Sequence, residues 1–116
     1  MRSRYEEVTL DTQGDGDMLD VTPYAQKAID NAGLADGLCT MFVAHSTCGM
    51  TTIEHEPGCN ADTNGHSHVR AALVGPSVTI PFRAGELQVG VWQKVVCIDF
   101  DDRPRSRKVV VQLLGE

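Results

Sequence analysis

The sequence predicts an α+β fold whose core is a largely antiparallel, sandwich-like arrangement of strands with two short helices. Three observations carry this. Apolar or alternating runs of strand length dominate the chain, among them Leu38–Ala44, Ser77–Phe82 and Lys108–Leu114. Two segments only, 23–32 and 66–74, have helical character, and they are inserted among the strands. No internal repeat, linker or low-complexity stretch divides the chain, so residues 1–116 read as a single domain.

The elements follow in order. Tyr5–Leu10 is moderately strand-like, and Gln13–Asp17 (Q-G-D-G-D) is a turn by composition. At Asp20-Val21-Thr22-Pro23 a helix starts: Thr22 is suited to cap it and Pro23 to its first position. The helix is expected to run to about Asn31, with Tyr24, Ala25, Ala28, Ile29 and Ala32 on one face and Gly33 and Gly37 at its end. Leu38–Ala44 is a strand that delivers His45 at its end. Ser46–Gly49 connects it to a second strand, Met50–Glu54. Residues 55–65 read as loop. The second helix, 66–74, is favoured by Arg70-Ala71-Ala72-Leu73 and stopped by Gly75-Pro76. Ser77–Phe82 alternates as a strand, and Ala84-Gly85 turns the chain. Leu87–Val91 and Trp92–Phe100 read as one long strand or a bent pair. Asp101–Ser106 is a polar loop, and Lys108–Leu114 is the final strand.

Aromatics are few, so the core must come from Val, Ile, Leu, Ala and Met. A small aliphatic core of this kind gains from subunit contacts. The net charge of -6 argues against nucleic acid or a membrane surface as partner. No run of about 18 apolar residues suggests a span. The first residues, Met1 to Glu7, lack the apolar stretch of a signal peptide, and a cytoplasmic location is expected. Cys39, Cys48, Cys59 and Cys97 show no C-x-x-C spacing, and Cys39 and Cys97 lie in apolar runs as buried hydrophobes.

Chemistry concentrates between His45 and His68. All four histidines of the chain, His45, His55, His66 and His68, fall there, with Glu54, Glu56, Asp62, Cys48 and Cys59. Imidazole is the commonest protein donor to zinc. His66-Ser67-His68 can point both rings to one side in extended backbone, though not within a helix. His45, at a strand end, is placed to add a third nitrogen. The plainer interpretation, solvated loop histidines, carries about equal weight on spacing alone. Glu54 and Glu56 share a strand face and suit a ligand or general base, or stand as solvated charges. Arg103, Arg105, Arg107 and Lys108 cluster in an acidic chain. Arginine's fork suits phosphate, but the cluster also balances Asp99, Asp101 and Asp102.

Six motifs occur together in one order: His45-Ser46-Thr47-Cys48-Gly49, Ile53-Glu54-His55-Glu56-Pro57-Gly58, Asn64-Gly65-His66-Ser67-His68 with Val69–Leu73, Ser77–Pro81 with Gly85-Glu86-Leu87, Gly90-Val91-Trp92-Gln93, and Arg103–Arg107. In this the chain resembles the YjbQ-like family, the secondary thiamine-phosphate synthases, over nearly its whole length. The first motif is similar to that family's H-T-T-A-A or H-T-T-A-G, the second to its N-E-x-E-P-G. The resemblance implies an α+β fold with a sandwich-like core, a homotrimer, and a histidine-bound divalent metal, zinc first, near a subunit interface. It implies His45 and His68 as ligands, with His66 as first choice and His55 as second for the third. It implies an enzyme joining a hydroxymethylpyrimidine diphosphate to a thiazole phosphate. Glu54, Asn64 and Gln93 would be its catalytic residues, and Arg105, Arg107 and Trp92 would bind its phosphorylated small-molecule substrate. The alternative is a metal-dependent hydrolase, or a metal- or phosphate-ligand-binding protein without turnover. Two departures stand out. Gly58–Asp62 is too short for the histidine-bearing helix the family usually carries there, and Ile53 replaces a frequent Asn.

Overall fold

The computed structural model describes residues 1–54, 74–101 and 103–116. The segment expected to form the second helix lies outside these residues apart from Val74, as do His55, Glu56, Cys59, Asp62, Asn64, His66 and His68. The described chain is mostly antiparallel β with one helix. Its elements are β1 (Arg2–Thr12), β2 (Asp17–Asp20), α1 (Thr22–Ala32), β3 (Gly37–Val43), β4 (Cys48–Glu54), β5 (Ser77–Arg83), β6 (Glu86–Leu87), β7 (Gln93–Asp99) and β8 (Arg105–Gly115). None of the described helical structure is long and apolar enough to cross a membrane.

Two sheets form. One has five strands in the order β1-β8-β3-β5-β6, the other three in the order β2-β7-β4. Every paired strand is antiparallel. The main core draws on both sheets and the helix: Leu10, Met41, Val109, Val111 and Leu113 from the large sheet, Met50, Val95 and Cys97 from the small one, Ala25, Ala28 and Ile29 from α1. The core is aliphatic, as composition requires, and Cys39 and Cys97 are buried within it.

The sandwich expectation holds only in part. In a plain sandwich the outer face of each sheet meets water, and residues alternate in and out. Here β7 is buried along Val95–Asp99 without alternation. Val96 and Ile98 on its second face pack with Ile53, Met18 and Val74 in a separate small cluster. The three-stranded sheet therefore carries apolar contacts on both faces.

Several boundaries differ from the sequence expectation, each because tertiary pairing overrides local preference. β1 begins at Arg2 rather than Tyr5, since it pairs with β8 from Arg2↔Gly115 to Thr12↔Arg105. The same pairing starts β8 at Arg105, inside the expected polar loop. β2 was not expected; it forms because Asp17–Asp20 lies along Asp99–Val96 of β7. β4 starts at Cys48 opposite Asp99, not at Met50. The expected long strand from Leu87 to Phe100 is interrupted: β6 has two residues, and Trp92 occupies the turn before β7.

The α1 start is also revised. Val21, not Thr22, is the cap residue, and no side chain caps it. Thr22 Oγ1 instead accepts a hydrogen bond from the Val95 amide at 2.7 Å, tying the helix start to β7. Asp20 Oδ1 accepts from the Thr22 amide at 2.9 Å. Tyr24 is 40% exposed, off the packed face. The helix ends as expected, with Gly33 in the left-handed conformation at φ 66°.

Candidate functional site

The end of β3, the start of β4, the end of β7 and the start of β8 meet at one corner. The β3–β4 connection leaves the large sheet after Val43 and joins the small sheet at Cys48. Its Thr47 carbonyl accepts from the Phe100 amide at 3.0 Å, which locks it against the end of β7. His45, Thr47, Arg105 and Arg107 are gathered here.

The heart of the corner is an ion pair. Arg107 donates to Asp99 through Nε at 2.7 Å and Nη2 at 2.9 Å. Asp99 is fully buried and Arg107 is 5% exposed. Nη2 also reaches Thr47 Oγ1 at 2.8 Å and Asp101 Oδ2 at 3.3 Å. The Thr12 hydroxyl donates to Asp99 Oδ2, and the Asp101 amide donates to Oδ1 at 2.9 Å. Asp99 thus accepts from two elements besides Arg107. The guanidinium bonds, outweighing the effect of burial, hold its carboxyl well below the usual carboxylate range, and the pair raises the Arg107 pKa. A buried charge with this many partners is a structural unit. Arg107 was expected to bind substrate; its fork is turned inward and occupied.

Arg105 stands differently. Its Nε pairs with Asp101 Oδ2 at 3.2 Å while its side chain is 44% exposed, so part of the guanidinium faces water. His45 is half-buried, and its Nε2 accepts from the Lys108 amide at 3.0 Å. Metal-bound imidazoles normally ligate with one nitrogen and donate from the other. Here Nε2 spends its lone pair on a backbone N–H. The ring as it stands does not fit a ligand role without releasing Lys108. Among the described residues no group of three or more His, Cys, Asp or Glu side chains could hold a metal ion.

Cys48 and Cys97, diagonal across β4 and β7, are not activated thiols. Burial, with Asp99 adding to it, pushes Cys48 up to about 11, and burial together with Cys48 pushes Cys97 up to about 12. Both stay protonated at neutral pH.

The remaining expected residues lie elsewhere. Glu54 is exposed and faces Gln93 across the β4–β7 ladder. Gln93 Nε2 donates to Thr52 Oγ1 at 3.1 Å, and its Oε1 accepts from the Gly90 amide at 3.0 Å. Trp92 is 61% exposed beside it. The ladder runs from Cys48↔Asp99 to Glu54↔Gln93, six steps or roughly 20 Å at about 3.3 Å per residue. One chain therefore does not bring Glu54, Gln93 and Trp92 to the His45–Arg105 corner. Of the residues that organise that corner, Asp99 was expected only as a surface counter-charge to the arginines and Thr47 only as part of a motif, while Thr12 was missed by sequence reasoning. The signal for the buried role was an acid placed directly at the end of the apolar run Val95–Ile98.

Comparison with known proteins gives the family. The model of the UPF0047 protein YjbQ-like family matches residues 6–64 and 60–116. A UPF0047 protein of Archaeoglobus fulgidus is 28% identical over 93% of this chain and 99% of its own length. One from Synechocystis is 28% identical over 99% of this chain and 94% of its own. Among solved structures, a YbjQ-like protein of unknown function from Sulfolobus solfataricus superposes with TM-score 0.81 at 26% identity, covering 99% of both chains. A protein from C. acetobutylicum gives TM-score 0.78 at 32% identity over 96% of this chain and 99% of its own. The two sequence alignments run to 129 and 139 positions, so these relatives carry residues inside the aligned span that this chain of 116 lacks. The family match falls into two parts that overlap at 60–64, beside the short Gly58–Asp62 segment. With matches over nearly its whole length in sequence and fold, the chain belongs to the UPF0047, YjbQ-like family.

Proposed function

We propose that the protein handles a phosphorylated small molecule as a homotrimer, and that it is a secondary thiamine-phosphate synthase-like enzyme. In that reaction the thiazole nitrogen attacks the pyrimidine methylene carbon. The carbon–oxygen bond to the diphosphate breaks, and pyrophosphate leaves with the electron pair. The observation that supports this most directly is the Arg105 guanidinium, steered by Asp101, which also accepts from Thr47, and partly open to water. Such a fork suits a phosphate's oxygens, and fixed positive charge at the leaving group is what the reaction needs. In this reading His45, His66 and His68 would hold a divalent metal, zinc first, with His45 turning away from the Lys108 amide to do so; when bound it would add charge at the departing diphosphate. Asn64 and Gln93 orient the substrate, Trp92 stacks on a ring, and Glu54 serves as base. Because Glu54, Gln93 and Trp92 stand roughly 20 Å along the ladder from His45, the reading requires that a neighbouring subunit supply them.

A second reading, a metal-dependent hydrolase or a metal- or phosphate-ligand-binding protein without turnover, draws support from Arg107 being engaged by Asp99 and from the short Gly58–Asp62 segment.

The test gives the purified protein both thiamine precursors and follows pyrophosphate release, with and without chelator. Synthase activity predicts release only with both present. Arg105→Ala should raise KM about tenfold, a loss near 1.4 kcal/mol, and His68→Ala should abolish turnover. Phosphate release from the diphosphate alone selects the hydrolase. Saturable binding with no turnover selects the binding protein.

A further inference from the structure

The outer face of the five-stranded sheet is nearly without charge. Burial alternates along its strands, so Leu38, Thr40 and Phe42 of β3 face outward, with Leu114, Gln112 and Val110 of β8 beside them. Pro81, Thr79 and Ser77 of β5 flank this block on one side. Ser3, Tyr5 and Glu7 of β1 flank it on the other. Glu7 is the one charged side chain among them, and Lys108 Nζ pairs with it at 2.6 Å. A sheet face turned to water is ordinarily polar. Here the two outer rows are apolar, Leu38 with Leu114 and Pro81, and Phe42 with Val110. The polar row between them has partners of its own. The Thr40 and Thr79 hydroxyls bond each other at 2.8 Å, and Gln112 Nε2 donates to the Arg4 carbonyl at 3.0 Å. Covering that row therefore strands few polar groups.

The block measures about 19 Å across four strands and about 17 Å along β3. Its projected area, roughly 300 Å², is the size at which exposed patches mark interaction sites. Past Leu38 the face ends in charge, at Asp36, Arg83 and Glu116. Past Phe42 it continues through exposed Ala44 and the neutralised Glu7–Lys108 pair. The Lys108 amide at that edge holds His45. A partner that covers the roughly 800 Å² of a standard interface without burying unpaired charge thus extends toward the His45–Arg105 corner.

The chain itself carries a surface that fits. Two copies with a net charge of -6 each repel unless they meet where charge is absent. Tyr5, Leu38, Phe42 and Leu114 make this face the main group of large exposed apolar side chains among the described residues. A second group is Val91 and Trp92, 83% and 61% exposed, on the turn before β7. That turn leads into Gln93, which lies opposite Glu54. Face and turn are different surfaces. Joining one to the other is a heterologous contact, the kind that closes copies into a ring.

We propose that this face receives the Val91–Trp92 turn of a second copy of the chain, a contact that carries that copy's Gln93 and Glu54 toward the His45–Arg105 corner. The proposal rests on the reading in which a neighbouring subunit completes the site.

Phe42→Lys and Val91→Lys, both at exposed positions, test it by light scattering at micromolar concentration. Each should lower the mass from three chains to one, with the circular dichroism of the folded chain retained. Trp92 is the single tryptophan, so its emission reports on the turn directly. Emission should lie further to the red in dissociated Phe42→Lys than in the parent. Leu38→Lys, on the same face, supplies the same readouts if Phe42→Lys fails to fold. A face variant that stays trimeric, a Val91→Lys chain that stays trimeric, or Trp92 emission unmoved by dissociation overturns the proposal and leaves the shared-site reading standing. A monomeric parent removes both.

Discussion

At the scale of single residues, the Asp99–Arg107 pair is the most consequential contact in the described chain. Its worth lies in being complete. Removing one partner strands a buried charge, which typically costs about 3–5 kcal/mol. Asp99→Asn should therefore destabilise by about 3 kcal/mol, measured by urea unfolding at neutral pH. The pH dependence follows from direction. Folding holds the Asp99 carboxyl below its ordinary value of about 3.9, so the unfolded chain binds more protons in acid. The stabilisation is fully present above the unfolded value and is lost as pH falls through it toward the lower folded value. Unfolding midpoints taken from pH 6 down to 2 should fall less steeply in Asp99→Asn than in the parent. An equal acid loss in both would show that other carboxylates govern it.

His45 offers a second prediction at this scale. If zinc binds through Nε2, the Lys108 amide must lose its acceptor. Zinc titration followed by nitrogen–proton correlation spectra should then shift the Lys108 amide upfield and speed its exchange with solvent. An unchanged Lys108 amide at saturating zinc would mean that His45 does not ligate through that nitrogen.

At the scale of elements, side chains rather than sheet propensity hold the short pieces in place. β6 has only two residues, too few to stand by their own ladder; Gln26 grips it from the helix. Gln26→Ala removes both hydrogen bonds to the hairpin, with Gly85 and Leu87, and a third to Asp30; it should cost about 2 kcal/mol, with faster hydrogen exchange at Leu87 than at amides of β8. The β3–β8 junction depends on closeness of backbone. A Cβ built on Gly37 would lie 2.1 Å from the Leu114 carbonyl oxygen and 2.8 Å from the Gly115 Cα. Gly37→Ala must push the strands apart and should destabilise by about 3 kcal/mol, seen as a lower urea midpoint.

At the scale of the whole molecule, the ladder separates the proposed functional residues into two groups at opposite ends of β4 and β7. If neighbouring subunits complete each site, two inactive variants should rescue one another. Mixing His45→Ala and Gln93→Ala chains through reversible dissociation should restore about a quarter to a third of parental turnover, as random assembly rebuilds some intact sites. Light scattering at micromolar concentration should give three times the chain mass. A monomer, or mixed chains with no recovered turnover, would remove the shared-site arrangement.

The sequence alone determined what local chemistry determines. Apolar runs at Leu38–Ala44, Ser77–Phe82 and Lys108–Leu114 became strands because burying them requires extended backbone in a sheet. Gly33 ended α1 because glycine takes the left-handed conformation without strain. Cys39 and Cys97 were legible as core because they sit inside such runs. Tertiary structure alone decided the rest. β2 exists because β7 offers it a pairing edge, a fact no window of four residues contains. Thr22 turned from capping its helix to serving Val95, 73 residues away in sequence. Arg107, an ordinary exposed charge by composition, became buried because Asp99 arrives from another strand with matching geometry. Strand register, not proximity along the chain, kept His45 apart from Glu54 and Gln93: the β3–β4 crossover starts one end of a ladder whose other end lies six residues away.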